Sequence, residues 1–320
     1  MKHLISLFVG LQLLSVAVDA ADTKSIRFGH FPNVTHAQGV IAHAFSRQGK
    51  GWFEERLGPG FKIDWYTYNA GPSAMEAIFA RSLDVTYVGP NPALNAHFKS
   101  NGAEIRIISG AATGGAALLV GSDGKITKAA DFRGKKIATP QFGNTQDISC
   151  RAWLKAQGLN ITMTGGDATV VPTANPDQLA LMQRGGVDAV WTVEPWVTRL
   201  EREAKAKVFF DETDVITTWL AASAKFLNDQ REVAKKIAQA NAELTQWIQS
   251  NPDEAQRMLI AELKEETRAD FPPEVIAQAW KRIKLSADIP RNLVDKAVKD
   301  AKDVGFLKGN TDSSKLIETP

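Results

Sequence analysis

Between residues 143 and 147 the chain reads Gly-Asn-Thr-Gln-Asp, a small, polar, amide-rich turn. An apolar stretch of strand length, 136–139, precedes it, and a helix-like stretch, 148–157, follows. A turn of this kind aims several free backbone N–H groups at one point, and the helix macrodipole adds partial positive charge there. Such a helix start can hold an anion without any lysine or arginine. A second turn, Asn69-Ala70-Gly71-Pro72-Ser73, has similar chemistry. Two turns so far apart in sequence could close on one small anion, which suggests capture of a solute more than catalysis. The bland alternative is that both are only well-capped helix starts, which are common.

Other reactive residue types give less. There is no Ser-His-Asp ordering with the expected local turn, no Gly-x-Ser-x-Gly, no metal motif and no phosphate loop with a lysine. His30, His36 and His43 are close in sequence, but no partner carboxylate lies nearby, so no metal site is expected. Glu262, Lys264, Glu265 and Glu266 read as a solvated helix face. Trp52, Trp65, Trp153 and Trp280 read as packing residues, while Trp191 and Trp196 lie nearer the polar turns. The single cysteine, Cys150, cannot form an intramolecular disulfide and is expected to pack as a small apolar residue.

The elements that must position these turns alternate in type. Strand-like segments are expected at 25–31, 61–68, 84–88, 105–109, 117–120, 135–139, 169–172, 189–193, 208–211 and 217–223. Helices are expected at 36–47, 73–81 and 90–99, from 145, after Asn175-Pro176-Asp177, and throughout from Gln230 onward. This alternation argues for α/β architecture with mostly parallel pairing. The small-residue run 111–116 is a candidate crossing between two lobes, and 217–223 is expected to return the chain to the first. The divisions that follow are a signal segment at 1–20, a discontinuous first lobe at 21–113 and 217–320, and a second lobe at 114–216. In open α/β sheets ligands bind beyond the carboxyl ends of the strands, and the polar turns share that edge.

The chain has 320 residues, 44% of them hydrophobic, and a formal net charge of +2. No basic block argues for nucleic acid. Residues 4–18 are largely apolar, about the length of a secretory h-region, and Val18-Asp19-Ala20 fits a cleavage site. Export to the periplasm is the expectation.

These residues together resemble a known family. Phe28-Gly29-His30-Phe31-Pro32-Asn33-Val34-Thr35-His36-Ala37, Asn69 to Ser73 and Tyr87-Val88-Gly89-Pro90-Asn91-Pro92 carry the first part of the likeness. Gly143 to Asp147, Asn175-Pro176-Asp177-Gln178 and Glu194-Pro195-Trp196 complete it. The chain is similar to the periplasmic solute-binding proteins of ABC importers, in the branch that handles aliphatic sulfonates, taurine and nitrate. The resemblance implies a two-lobed type II clamp, with a hinge of two crossings and C-terminal helices. It implies a non-enzymatic, monomeric receptor without a cofactor, whose partners are a membrane permease and its ATPase. Carried over by position, Asn33, Gly71, Ser73, Gly89, Asn91, Gly143, Asn144, Thr145, Gln146 and Glu194 would line the cleft, with Trp196 near its second wall. Glu194 would repel a bare anion, so it favours a ligand with a second, donor end. Cys150 departs from the bulkier aliphatic residue expected behind the anion turn. A nitrate or phosphonate receptor, a pyrimidine-precursor protein of the same fold and a ligand sensor remain open.

Overall fold

The computed structural model describes residues 23–319. The expected signal segment at 1–20 lies outside them. In chain order the first part runs β1 (Lys24–His30), α1 (Ala37–Arg47), α2 (Trp52–Leu57), β2 (Phe61–Thr67), α3 (Gly71–Phe79), β3 (Val85–Val88), α4 (Pro90–Lys99) and β4 (Ile105–Gly114). A second part follows: β5 (Ala116–Val120), β6 (Lys136–Thr139), α5 (Thr145–Ala156), β7 (Thr169–Pro172), α6 (Asn175–Gln183), β8 (Ala189–Val193), α7 (Trp196–Glu203) and β9 (Lys207–Glu212). The chain then returns through β10 (Ile216–Ser223), α8 (Ala224–Asp229), α9 (Arg231–Ser250), α10 (Pro252–Thr267), α11 (Pro273–Trp280), β11 (Ile283–Leu285) and α12 (Arg291–Asp303).

The strands form two sheets, in the orders β11-β4-β10-β3-β1-β2 and β7-β6-β8-β5-β9. Strands β1, β2 and β3 pair in parallel, as do β6, β7 and β8. The remaining pairings, which involve β4, β5, β9, β10 and β11, are antiparallel. Mostly parallel pairing therefore holds for only one side of each sheet. The reason is topological: β4 and β9 carry the chain out of their sheets, and β5 and β10 carry it in.

Period-two alternation sorts each strand's side chains onto two faces. In β10, Leu220 and Ala222 join Ile26, Phe28 and Tyr87 in a core covered by α1, α9 and α10, while Trp219 and Ala221 pack with Ile78 and Leu94 of α3 and α4. In β5, Leu118 and Val120 face Cys150 and Leu154 of α5, and Ala117 and Leu119 face Val197 and Leu200 of α7. Cys150 is fully buried in this packing, and burial pushes its thiol well above the ordinary range.

The crossings differ from the sequence reading in detail. Residues 111–114 belong to β4, and the turn itself is Gly114-Gly115, with φ of 70° and 74°. A β-carbon there would be strained in this left-handed conformation and would also lie 2.6 Å from Arg282 O or 2.5 Å from Ile283 Cγ2. The return crossing is 213–215, just before β10. The all-helical expectation after Gln230 missed β11, a short edge strand paired antiparallel with the end of β4. Its sequence, Ile-Lys-Leu, is too short for periodicity to reveal.

Candidate functional site

A cavity lies where the carboxyl ends of both sheets meet. Its wall comprises Phe31, Asn33, Thr35, His36, Asn69, Ala70, Gly71, Gly89, Pro92, Pro140, Asn144, Thr145, Gln146, Asn175, Val193 and Thr217, around about 340 Å³ of empty space that includes solvent at the mouth. These residues mark the starts of α1, α3, α4, α5 and α6, so several helix N-termini converge on one small volume. Helix starts leave first-turn amides without a partner in their own helix, except where, as at Pro90, Pro92 and Pro176, the residue has no N–H.

The start of α5 shows how the sequence builds such a terminus. Asn144 is the cap, and its Oδ1 accepts from the Asp147 amide at 2.9 Å. The Asp147 carboxylate accepts from the Gly143 amide at 2.9 Å. That carboxylate is turned inward: Arg151 Nε donates to it at 3.1 Å and Thr139 Oγ1 at 3.3 Å. The amides of Thr145 and Gln146, first and second in the helix, are left for whatever occupies the cavity. Gly89 sits opposite, at the start of α4, where a β-carbon would lie 2.3 Å from Thr145 Oγ1. The two halves thus meet backbone to side chain at this point, helped by a long 3.4 Å contact from the Asn91 amide to Thr145 Oγ1.

Asn33 is held from the second half of the molecule. Its Oδ1 accepts from Trp196 Nε1 at 2.8 Å and from Asn175 Nδ2 at 3.4 Å. An indole N–H can only donate, so the atom it meets must be the amide oxygen. The Asn33 amide nitrogen then has no protein acceptor among the described residues. Asn175 is fixed in turn by Thr192 Oγ1, which donates to its Oδ1 at 3.1 Å.

No Lys, Arg, Asp or Glu is among the lining residues. The one titratable group is His36, stacked on Phe31 at 4.3 Å between ring centroids. Burial, and after it the neighbouring His30, hold His36 well below the ordinary imidazole range. The cavity wall is therefore electrically neutral, with its field supplied by amide dipoles.

Among the residues expected to line a cleft, Asn33, Gly71, Gly89, Asn144, Thr145 and Gln146 do reach this wall. The others stand elsewhere. Ser73 Oγ accepts from Gln141 Nε2 at 3.1 Å, linking α3 to the turn before α5. Gly143 opens onto a separate groove beside Phe306. Asn91 contributes its amide to Thr145, and its own buried Nδ2 has no partner among the described residues. Trp196 lies one layer back, against Phe271.

Glu194 is corrected most sharply. Its side chain is fully buried and engaged: Thr198 N donates to Oε2 at 3.1 Å, and Thr198 Oγ1 and Arg282 Nη1 donate to Oε1, each at 2.9 Å. Burial raises its carboxyl above the usual range, and the Arg282 guanidinium opposes that rise. It caps α7 and ties it to the segment before β11, so it offers nothing to a ligand amine. The sequence reading also missed Phe31, Thr35, His36, Asn69, Asn175 and Thr217 as wall residues. Asn69 and Asn175 carried a signal, since each sits at a strand-to-helix turn. Thr217 had none, because β10 reaches the wall only through the return crossing.

Two sheets joined by two crossings, with a cavity of helix starts between them, define the periplasmic binding protein fold. The alkanesulfonate-binding protein SsuA from Xanthomonas axonopodis pv. citri, solved bound to MOPS, superposes with a TM-score of 0.72 at 18% identity, over 91% of this chain and 96% of that one. The chain belongs to the NMT1-like family, whose profile matches residues 19–263. The taurine-binding periplasmic protein of Escherichia coli K12 is 26% identical over 201 residues, covering 61% of this chain and 60% of that protein. A putative aliphatic sulfonates-binding protein of the same strain is 26% identical over 224 residues, covering 68% and 65%. The chain thus matches less than two thirds of the length of either relative.

Proposed function

We propose that this chain is the periplasmic solute receptor of an ABC importer. It takes a small, fully ionised oxyanion, an aliphatic sulfonate by preference, into the cavity and delivers it to a membrane permease and its ATPase. The observation that carries this reading is the convergence of several helix N-termini on an enclosed wall without a charged side chain. Neutral dipoles of this kind suit a desolvated anion. The names of the two E. coli relatives support the sulfonate class. With Glu194 occupied, no carboxylate lines the cavity to receive an ammonium group, which favours a plain alkanesulfonate over taurine. The same wall holds no nucleophile paired with a base, so it binds and releases its ligand unchanged.

Calorimetric titration of ligand-stripped protein with ethanesulfonate, taurine, nitrate, sulfate and methylphosphonate tests the reading. Binding of ethanesulfonate at a stoichiometry of one, lost in Thr145→Val, is the expected outcome. A neutral wall also predicts affinity that falls only weakly with ionic strength. Failure of every oxyanion to bind, or a steep loss of affinity with salt, would remove it.

A further inference from the structure

Behind the cavity wall, and separate from it, four side chains meet between β1, α1 and α10. Their elements are far apart in sequence, which is why residues 262–266 read as a solvated face. Helical spacing corrects that reading. Lys264 and Glu265 point outward, while Glu262 and Glu266, four residues apart, share the inward side. The side chains of His30, Glu262 and Glu266 are 0, 4 and 2% exposed, and that of His43 is 12% exposed.

The ligand-type atoms almost touch. His43 Nδ1 lies 2.8 Å from Glu266 Oε1, 3.1 Å from His30 Nε2 and 3.2 Å from Glu262 Oε1. His30 Nε2 lies 3.0 Å from Glu266 Oε1. A ring nitrogen carries either one N–H or one lone pair, so His43 Nδ1 can form a good hydrogen bond with one of these three neighbours only. On the other side of its ring, His30 Nδ1 faces the Phe31 carbonyl at 3.4 Å. With the proton on Nδ1 toward that carbonyl, Nε2 presents a lone pair to a carboxylate oxygen and to a second imidazole. A single cation between these atoms would engage all of them at once. Glu266 Oε2 is also buried without any partner among the described residues.

We propose that His30, His43 and Glu266 bind one divalent transition-metal ion, zinc by the nature of the set, with the Glu262 carboxylate beside His43. Four N and O ligands at about 2.0–2.1 Å in a tetrahedron stand about 3.3 Å apart. The three separations among His30, His43 and Glu266 fall short of that by only a few tenths of an ångström. The Glu266 carboxylate as ligand and the buried Glu262 carboxylate beside it offset the charge of a divalent ion, which a buried site requires. The surroundings also suit a metal's outer layer: Arg47 Nε donates to Glu262 Oε1 at 2.7 Å, the Phe31 carbonyl orients His30, and Trp65 stacks on His43 at 5.2 Å. The ion would clip α1 to α10 and fix the end of β1, whose continuation supplies Phe31 and Asn33 to the cavity wall.

Purified protein is stripped with a chelator and titrated with Co²⁺, then with Zn²⁺. The expected result is one Co²⁺ per chain, with the intense visible absorption of four-coordinate cobalt, displaced by one equivalent of Zn²⁺. His43→Ala and Glu266→Gln should each weaken Zn²⁺ binding by about a hundredfold or more, and Arg47→Ala, which touches only Glu262, by about tenfold. Glu265→Gln, on the outer side of α10, should bind as wild type does. Absence of Co²⁺ binding, or a pale six-coordinate spectrum that the variants leave unchanged, overturns the proposal. If a ligand variant does not fold, the wild-type cobalt spectrum decides alone.

Discussion

The indole N–H of Trp196 donates to Asn33 Oδ1 at 2.8 Å, joining the first turn of α7 to the turn after β1. The bond crosses from one half of the molecule to the other and engages Asn33 Oδ1, leaving the amide nitrogen of this wall residue without a protein acceptor among the described residues. Trp196→Phe keeps the ring and removes the donor. Losing a hydrogen bond of this type costs about 1 kcal/mol, so ethanesulfonate affinity should fall several-fold with little change in melting temperature. Unchanged affinity by calorimetry would mean that the orientation of Asn33 does not matter to binding.

Gly89 and Thr145 set how closely the halves approach. Alanine at 89 would place a β-carbon 2.3 Å from Thr145 Oγ1 and 3.4 Å from the Thr217 carbonyl. Gly89→Ala should therefore hold the halves apart, weaken ligand binding by about tenfold or more, and abolish the ligand-induced decrease in radius of gyration seen by small-angle X-ray scattering. Normal compaction in the variant would show that closure does not pass through this contact.

Arg282 satisfies Glu194 and Glu201 together, at 2.9 and 2.8 Å. Arg282→Met leaves the buried Glu194 carboxylate without its cation and should cost about 3 kcal/mol in urea unfolding. The double variant Glu194→Gln/Arg282→Met should recover most of that loss. Glu194→Gln alone should leave ethanesulfonate affinity unchanged, since the carboxylate serves α7 and not the cavity.

Glu212, at the end of β9, accepts from Trp191 Nε1 at 3.2 Å, and burial pushes its carboxyl from an ordinary value near 4.5 up to about 7. The folded protein therefore holds this proton more tightly than the unfolded chain does. The stabilisation is complete below about pH 4.5, declines as pH rises toward 7, and is gone above it, a swing of about 3 kcal/mol. Glu212→Gln should raise the melting temperature at pH 8 and leave it nearly unchanged at pH 5. Equal effects at both pH values would show that the group does not titrate in this window.

Local sequence carried the strand–helix alternation and the polar turns, because both depend on neighbours in the chain. Pro90 at the start of α4 and Asn144 at the start of α5 announce their helices by cap chemistry alone. Residues whose role depends on distant partners could not be read this way. Glu194 looks free in sequence, and the cation that pairs with it, Arg282, comes from after the return crossing. Glu262 and Glu266 look solvated until α10 is laid against α1 and the end of β1. Thr217 and β11 are invisible for the same reason: an antiparallel edge or a wall position on β10 is a property of the sheet.

A wall built from amide donors, with Asp147 and Glu194 both turned away, has a consequence for the protons of its guest. Sulfonates stay fully ionised at every biological pH and present acceptor oxygens only. A hydrogenphosphonate or hydrogenphosphate brings an O–H of its own, which would need an acceptor. The nearest carboxylates are already committed, to Arg151 and Arg282, which leaves the neutral His36 imidazole as the one titratable group in the wall that could accept it. On this reading the choice between a strong and a weak oxyacid rests on one imidazole: a guest without a proton needs only the amide donors, and a guest that keeps one needs His36.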